Sequence, residues 1–127
     1  MSRTKGELLF YGIDNISEKL DGIIQSLNLE KQCFETKLII IEAVNNAFIH
    51  GNKKDKNKSI CIEWQVEECL LKVSVTDCGD GVETLTNYNY ENDDILAESG
   101  RGLQIINCYS DSVEFKGNSI IMKKYIA

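Results

Sequence analysis

Three short groups of residues in this chain combine types and spacings that could do chemistry. Glu42, Asn46 and His50 lie four residues apart within EAVNNAFIHGN. On a helix they would form one slowly drifting stripe along a single face. A carboxylate and an amide one turn apart offer hard oxygen atoms, the donors that Mg2+ takes when it is shared with phosphate. The same spacing also suits the solvent-facing stripe of an amphipathic helix. The stripe directly follows the apolar run Leu38, Ile39, Ile40, Ile41, where each buried polar group left without a partner would cost about 1–3 kcal/mol.

The second group is Asp77-Cys78-Gly79-Asp80-Gly81, placed after an alternating apolar stretch. A carboxylate at a strand end can accept a hydrogen bond from an exocyclic amine, and glycines beside it let a planar base approach the backbone. Taken alone, Asp-Gly clusters also mark ordinary turns. The third is Gly100-Arg101-Gly102 ahead of a helical pattern. Exposed N–H groups at a helix start suit phosphate oxygens, although a plain cap reads the same way. There is no G-x-x-x-x-G-K-[ST] sequence and no third glycine for a dinucleotide fingerprint, so the P-loop and Rossmann readings are excluded.

These groups need a scaffold, and hydrophobic periodicity supplies one. Residues 7–11 suit a short edge strand. Ile16, Leu20, Ile23 or Ile24, and Leu27 recur at helical spacing, with Asn15 and Glu18 resembling a capping box. A second helix is expected from about 30 to 50, stopped at Gly51-Asn52. Ile60, Ile62, Trp64 and Val66 alternate with smaller or polar residues, as do Leu71, Val73 and Val75, which predicts a hairpin turning at Glu67-Glu68. GLQIINCYS predicts a helix, and SVEFK and SIIMKKY predict two strands joined at Gly117-Asn118. The stretch from Val82 to Ser99 carries little periodicity and is long for a plain connection. The order β-α-α-β-β-loop-α-β-β predicts an α+β, two-layer sandwich: helices on one face of a mixed, mostly antiparallel sheet.

Composition narrows the class. At 127 residues one domain spanning 1–127 is expected. The net charge of −6 argues against direct nucleic-acid binding, which Lys and Arg drive. The four lysines between Lys53 and Lys58 read as a solvated loop. No long apolar run or leader pattern is visible, so no membrane association is expected. Five cysteines without a C-x-x-C pair suit reduced thiols and a cytoplasmic setting.

In combination and in this order, E-x-x-x-N, D-x-G-x-G and G-x-G-L resemble the GHKL (histidine kinase-like) ATPase superfamily. The phrases EAVNNAFIHGN, DCGDGV and AESGRGLQII are similar to those of its small branch, the anti-sigma-factor serine kinases, and the likeness runs from about Glu7 to Ala127. The resemblance implies the Bergerat ATP-binding fold, with ATP and Mg2+ as cofactors and a lid at about 82–99. It implies that Asn46 supplies an amide oxygen to the metal and that Glu42 is the catalytic base. Asp77 would accept the adenine amino group beside Gly79 and Gly81, while Gly100, Arg101, Gly102 and Leu103 would wrap the phosphates. His50 is read as mainly a helix-end residue. The branch usually carries Gly-Thr-Thr before its last strand; this chain has Gly117-Asn118-Ser119, and Ser119 keeps a hydroxyl for the nucleotide. The implied activity is ATP-dependent phosphorylation of a serine on a STAS-domain antagonist, by a homodimer that also holds a sigma factor. Two alternatives share the same motifs: a nucleotide-dependent binding module without phosphate transfer, and a histidine kinase catalytic domain acting in trans.

Overall fold

The computed structural model describes residues 3–27, 33–79 and 101–126. Five strands form one sheet: β1 (Arg3–Tyr11), β2 (Ser59–Glu67), β3 (Leu70–Thr76), β4 (Ser112–Lys116) and β5 (Ser119–Tyr125). Their spatial order is β1-β2-β3-β5-β4, and every neighbouring pair is antiparallel. Three helices accompany them: α1 (Ile16–Leu27), α2 (Cys33–Asn46) and α3 (Arg101–Tyr109). The expected α+β sandwich is therefore present, with a sheet that is antiparallel throughout the described strands rather than mixed.

Alternation sets which face of the sheet is covered. Ile60 and Ile62 on β2, Leu71, Val73 and Val75 on β3, and Ile120 and Met122 on β5 are buried. They join Leu20, Ile23 and Leu27 of α1, Ile39, Ile40, Ala43 and Val44 of α2, and Leu103 and Ile106 of α3 in one core. The intervening residues, such as Glu7, Glu63 and Lys72, are exposed on the other face, as a period of two requires. All three helices thus lie on one side.

Local details differ from the sequence expectation for identifiable reasons. β1 begins at Arg3, four residues earlier than the pattern suggests, and pairs with β2 along its whole length. Gly6, which weakens a strand signal, is needed there because a Cβ would come within 2.6 Å of the Trp64 ring. Asn15 has φ 59, outside the extended backbone of a capping residue, so the expected box does not form. Its backbone carbonyl accepts the Lys19 N–H at 3.2 Å instead. The first hairpin turns at Glu68-Cys69, one residue later than expected, because Glu67 still pairs with both Arg3 and Leu70.

The second helix departs most. After Asn46 it continues as a π-helical turn, Ala47–Gly51, in which the Asn52 N–H reaches the Ala47 carbonyl at 2.8 Å. Gly51 is not the left-handed stop residue; Lys53 (φ 54) and Lys54 (φ 64) take that conformation. π-turns occur in single pieces, frequently at functional sites. The expected start of this helix near 30, and the lid expected at about 82–99, lie outside the described residues.

Glu68 also sits at positive φ (58), where a side chain is strained. Glu68→Gly should stabilise the fold by about 0.5–1 kcal/mol, measured as a rise in the urea midpoint at unchanged slope. A lower midpoint would show that the turn is held by something other than backbone conformation.

Candidate functional site

The π-turn at the end of α2 meets the loop that leaves β3. Gly51 lies against the Asp77 carboxylate so closely that a Cβ on Gly51 would overlap Asp77 Oδ2. A Cβ on Gly79 would likewise overlap the Gly51 carbonyl. Gly79 is thus required by close approach to the Gly51 backbone and Gly51 by the Asp77 carboxylate, neither by an unusual φ. The junction is pinned by Asn52, which is fully buried. Its Oδ1 accepts the Cys78 N–H at 2.8 Å, and its Nδ2 donates to the carbonyls of Ser59 (3.1 Å) and Lys58 (3.3 Å). One amide thus ties the start of β2 to the loop that leaves β3.

Within that junction the Gly79 N–H donates to Asp77 Oδ1 at 2.7 Å, and the Asp77 N–H donates to the Asn118 carbonyl at 3.1 Å. Asp77 is half-buried. Burial pushes its carboxyl above the ordinary carboxylate value, while the Gly79 N–H and the Lys58 ammonium pull the other way without cancelling the effect.

The last turn of α2, which runs directly into the π-turn, carries the second half of the site. Asn46 is buried, and among the described residues its Nδ2 has no hydrogen-bond partner. Glu42, one turn earlier, is partly buried. Both face the first turn of α3: a Cβ placed on Gly102 would stand 3.5 Å from Glu42 Oε1 and 3.7 Å and 3.8 Å from the Asn46 amide atoms. The absent side chain leaves room there, next to helix-start N–H groups that carry partial positive charge. A carboxylate, an unsatisfied buried amide and a helix start converge on that space. Glu42 Oε1 and Asn46 Oδ1 are hard oxygens of the kind Mg2+ takes when shared with phosphate, while the unpartnered Nδ2 can donate to a phosphate oxygen. Consistently, no cluster of three or more His, Cys, Asp or Glu side chains among the described residues is placed to hold a metal by itself.

The structure thus brings Glu42, Asn46 and Gly102 together, and separately joins Asp77 and Gly79 to the end of the same helix. Leu103 turns its side chain into the core. Arg101 begins α3, and Gly81 and Gly100 lie outside the described residues. Ser119, which the family resemblance places at the nucleotide, opens β5. It pairs with Thr76 in the ladder, and the two hydroxyl oxygens stand 2.6 Å apart. The alternation that buries Ile120 and Met122 under the helices sends Ser119 to the opposite sheet face. Asn118, through its carbonyl, is the residue of that turn that touches Asp77. His50 is half-buried within the π-turn. In the sequence Gly51 and Asn52 read only as a helix stop after His50. A depression of about 400 Å3 on the outer sheet face, lined by Lys5, Glu7, Glu63, Trp64 and Lys72 among others, contains none of these groups.

The Asp77 environment has a consequence for stability. Because its folded-state value lies above the unfolded one, the native chain binds that proton more tightly. The group therefore subtracts stability as pH rises from the unfolded value, about 4, through the folded one. Asp77→Asn removes the charge yet keeps an oxygen for the Gly79 N–H. Its Tm in the absence of nucleotide should exceed that of the wild type at pH 7, with the difference shrinking as pH approaches about 4. A Tm well below wild type at pH 7 would mean that the charge itself holds the loop.

Comparison with known proteins agrees with this arrangement. Residues 20–124 match the model of the histidine kinase-like ATPase domain. An anti-sigma F factor of Clostridium perfringens is 34% identical over 114 residues, covering 84% of this chain and 77% of the relative. One from Oceanobacillus iheyensis is 30% identical over 101 residues (73% and 69% of the two chains), and one from Clostridium acetobutylicum is 28% identical over 123 residues (91% and 81%). Among the described residues no helix is long and apolar enough to cross a membrane. With a match that spans residues 20–124, the chain belongs to the histidine kinase-like ATPase domain family.

Proposed function

We propose that this protein is an ATP-dependent serine kinase of the anti-sigma-factor type. Its substrate in this reading is a serine on a STAS-domain antagonist, and its second partner is a sigma factor, bound by a homodimer. The observation that carries the nucleotide reading is the convergence of Glu42 and the unpartnered Asn46 amide on the space left by Gly102. Similarity to the anti-sigma F factors supports the partner class.

The division of labour follows from the chemistry of each group. Asp77 accepts the adenine amino group, and Gly79 and Gly81 let the ring lie close to the backbone. Gly100, Arg101 and Gly102 receive the phosphate oxygens at the start of α3, where N–H groups and the helix dipole favour negative charge. Asn46 holds Mg2+ through its amide oxygen; when bound, the metal offsets phosphate charge. Glu42 accepts the proton of the substrate seryl hydroxyl as that oxygen bonds to the γ-phosphorus. The bond from the γ-phosphorus to the β–γ bridging oxygen breaks, and ADP leaves with those electrons. Arg101 offsets the charge that develops on the transferring group.

Two variants test this. Glu42→Ala should lower phosphate transfer to the serine by a factor of about 10²–10⁴ while ATP affinity stays within a few fold. The assay is incubation with γ-labelled ATP and a STAS-domain protein from the same organism. ATP binding without any labelled serine in the wild type would replace the kinase by a nucleotide-dependent clamp. Gly102→Ala is a steric test: it should raise helix stability by up to about 1 kcal/mol, since its Cβ meets only ordinary contacts. Calorimetric titration should nonetheless show ATP affinity falling at least tenfold. Unchanged affinity would remove the phosphates from this gap.

A further inference from the structure

Lys124 is the only buried charged residue among those described, at 7% exposure. It stands on β5, beneath the helices, and its ammonium has two partners. Nζ donates to the Tyr109 carbonyl at 2.7 Å and to Glu35 Oε2 at 3.3 Å. The Tyr109 carbonyl is one of the last of α3, which the helix itself leaves open. Glu35 lies in the first turn of α2. One ammonium therefore joins the beginning of α2 to the end of α3.

Those two helices also form the nucleotide end of the site. Glu42 and Asn46 of α2 face Gly102 of α3. Glu35 precedes Glu42 by seven residues, and Tyr109 follows Gly102 by seven, so each helix runs about 10 Å, two turns, between the two junctions. The helices are antiparallel, joined at one end by Lys124 and open at the other to the space for phosphate. Asp77 is held at the far end of α2, against Gly51 and by the Gly79 N–H, and among the described residues it makes no hydrogen bond to Lys124 or Glu35.

We propose that Lys124, with Glu35, is a positioning pair that sets the spacing of α3 from α2 and thereby tunes phosphate binding without touching the nucleotide. The inference rests on the ATP-binding reading above. It predicts a split that general loosening of the fold would not produce: the phosphate end of the ligand is affected and the adenine end is not. A methionine at 124 keeps the apolar stem in place of the buried chain but donates no hydrogen bond. Glu35 is 40% exposed in its side chain, so Glu35→Ala leaves the core filled and serves as the milder variant.

The experiment is a pair of titrations, ATP and adenosine, followed by amide resonances of the full chain. For Lys124→Met, ATP affinity should fall at least tenfold and adenosine affinity should stay within twofold; for Glu35→Ala the ATP loss should be about threefold. Equal losses for both ligands, or wild-type ATP affinity in either variant, overturn the positioning role. Should Lys124→Met not fold, Glu35→Ala decides alone. A wild-type chain that fails to bind ATP overturns the nucleotide reading itself, and this inference with it.

Discussion

The site depends on one contact between backbones: the π-turn at the end of α2 lies directly against the loop that leaves β3. Gly51 and Gly79 allow an approach that any Cβ would block, and the buried Asn52 amide fastens it from both sides. A regular α-helical ending would rotate the following residues by a fraction of a turn and carry Gly51 off the Asp77 carboxylate. The extra residue in that turn is tolerated because Asn52 and Lys54 still find carbonyls, on Ala47 and Phe48. Two non-glycine residues in left-handed conformation, Lys53 and Lys54, follow it. Conformational strain of this order, about 1–3 kcal/mol per residue, persists where the surroundings fix the backbone.

This contact explains how a helix embedded in the core can carry so many polar groups. Its apolar positions, Ile39, Ile40, Ala43 and Val44, are fully covered by the sheet and the other helices. Glu42 and Asn46 lie on the flank that meets Gly102 of α3. Asn46 is left with an unsatisfied amide nitrogen, a cost of about 1–3 kcal/mol that a bound ligand can relieve. Asp77 shows the same economy: a half-buried carboxyl raised by desolvation is an unfavourable group in the folded chain.

Much of the architecture was legible because period and punctuation agreed. The hairpins, the three helices and the covered sheet face follow from alternation and 3.6-residue spacing, since burying one face leaves few other solutions. Boundaries were less legible. The strand signal of β1 is masked by Gly6, which only the ring of Trp64 explains. The sheet face that Ser119 takes was not legible for a related reason: a hydroxyl next to a turn gives no hint of it. Register against Thr76 settles that, and register is a property of two strands.

The sequence by itself determined the types of group available and their order along the chain: a carboxylate and amide one helical turn apart, an aspartate after a strand, glycines opening a helix. It determined the family, because those motifs fall in one order with one spacing. Only the tertiary structure decided which groups meet. Glu42 and Gly102 are 60 residues apart in the chain, and their approach is set by antiparallel packing of two helices with Lys124 at their far end. Gly51 and Asp77 meet because a helix gains one residue in its last turn. Local periodicity carries no information on such distances; they are fixed by packing and by a few buried hydrogen bonds whose partners are remote in sequence.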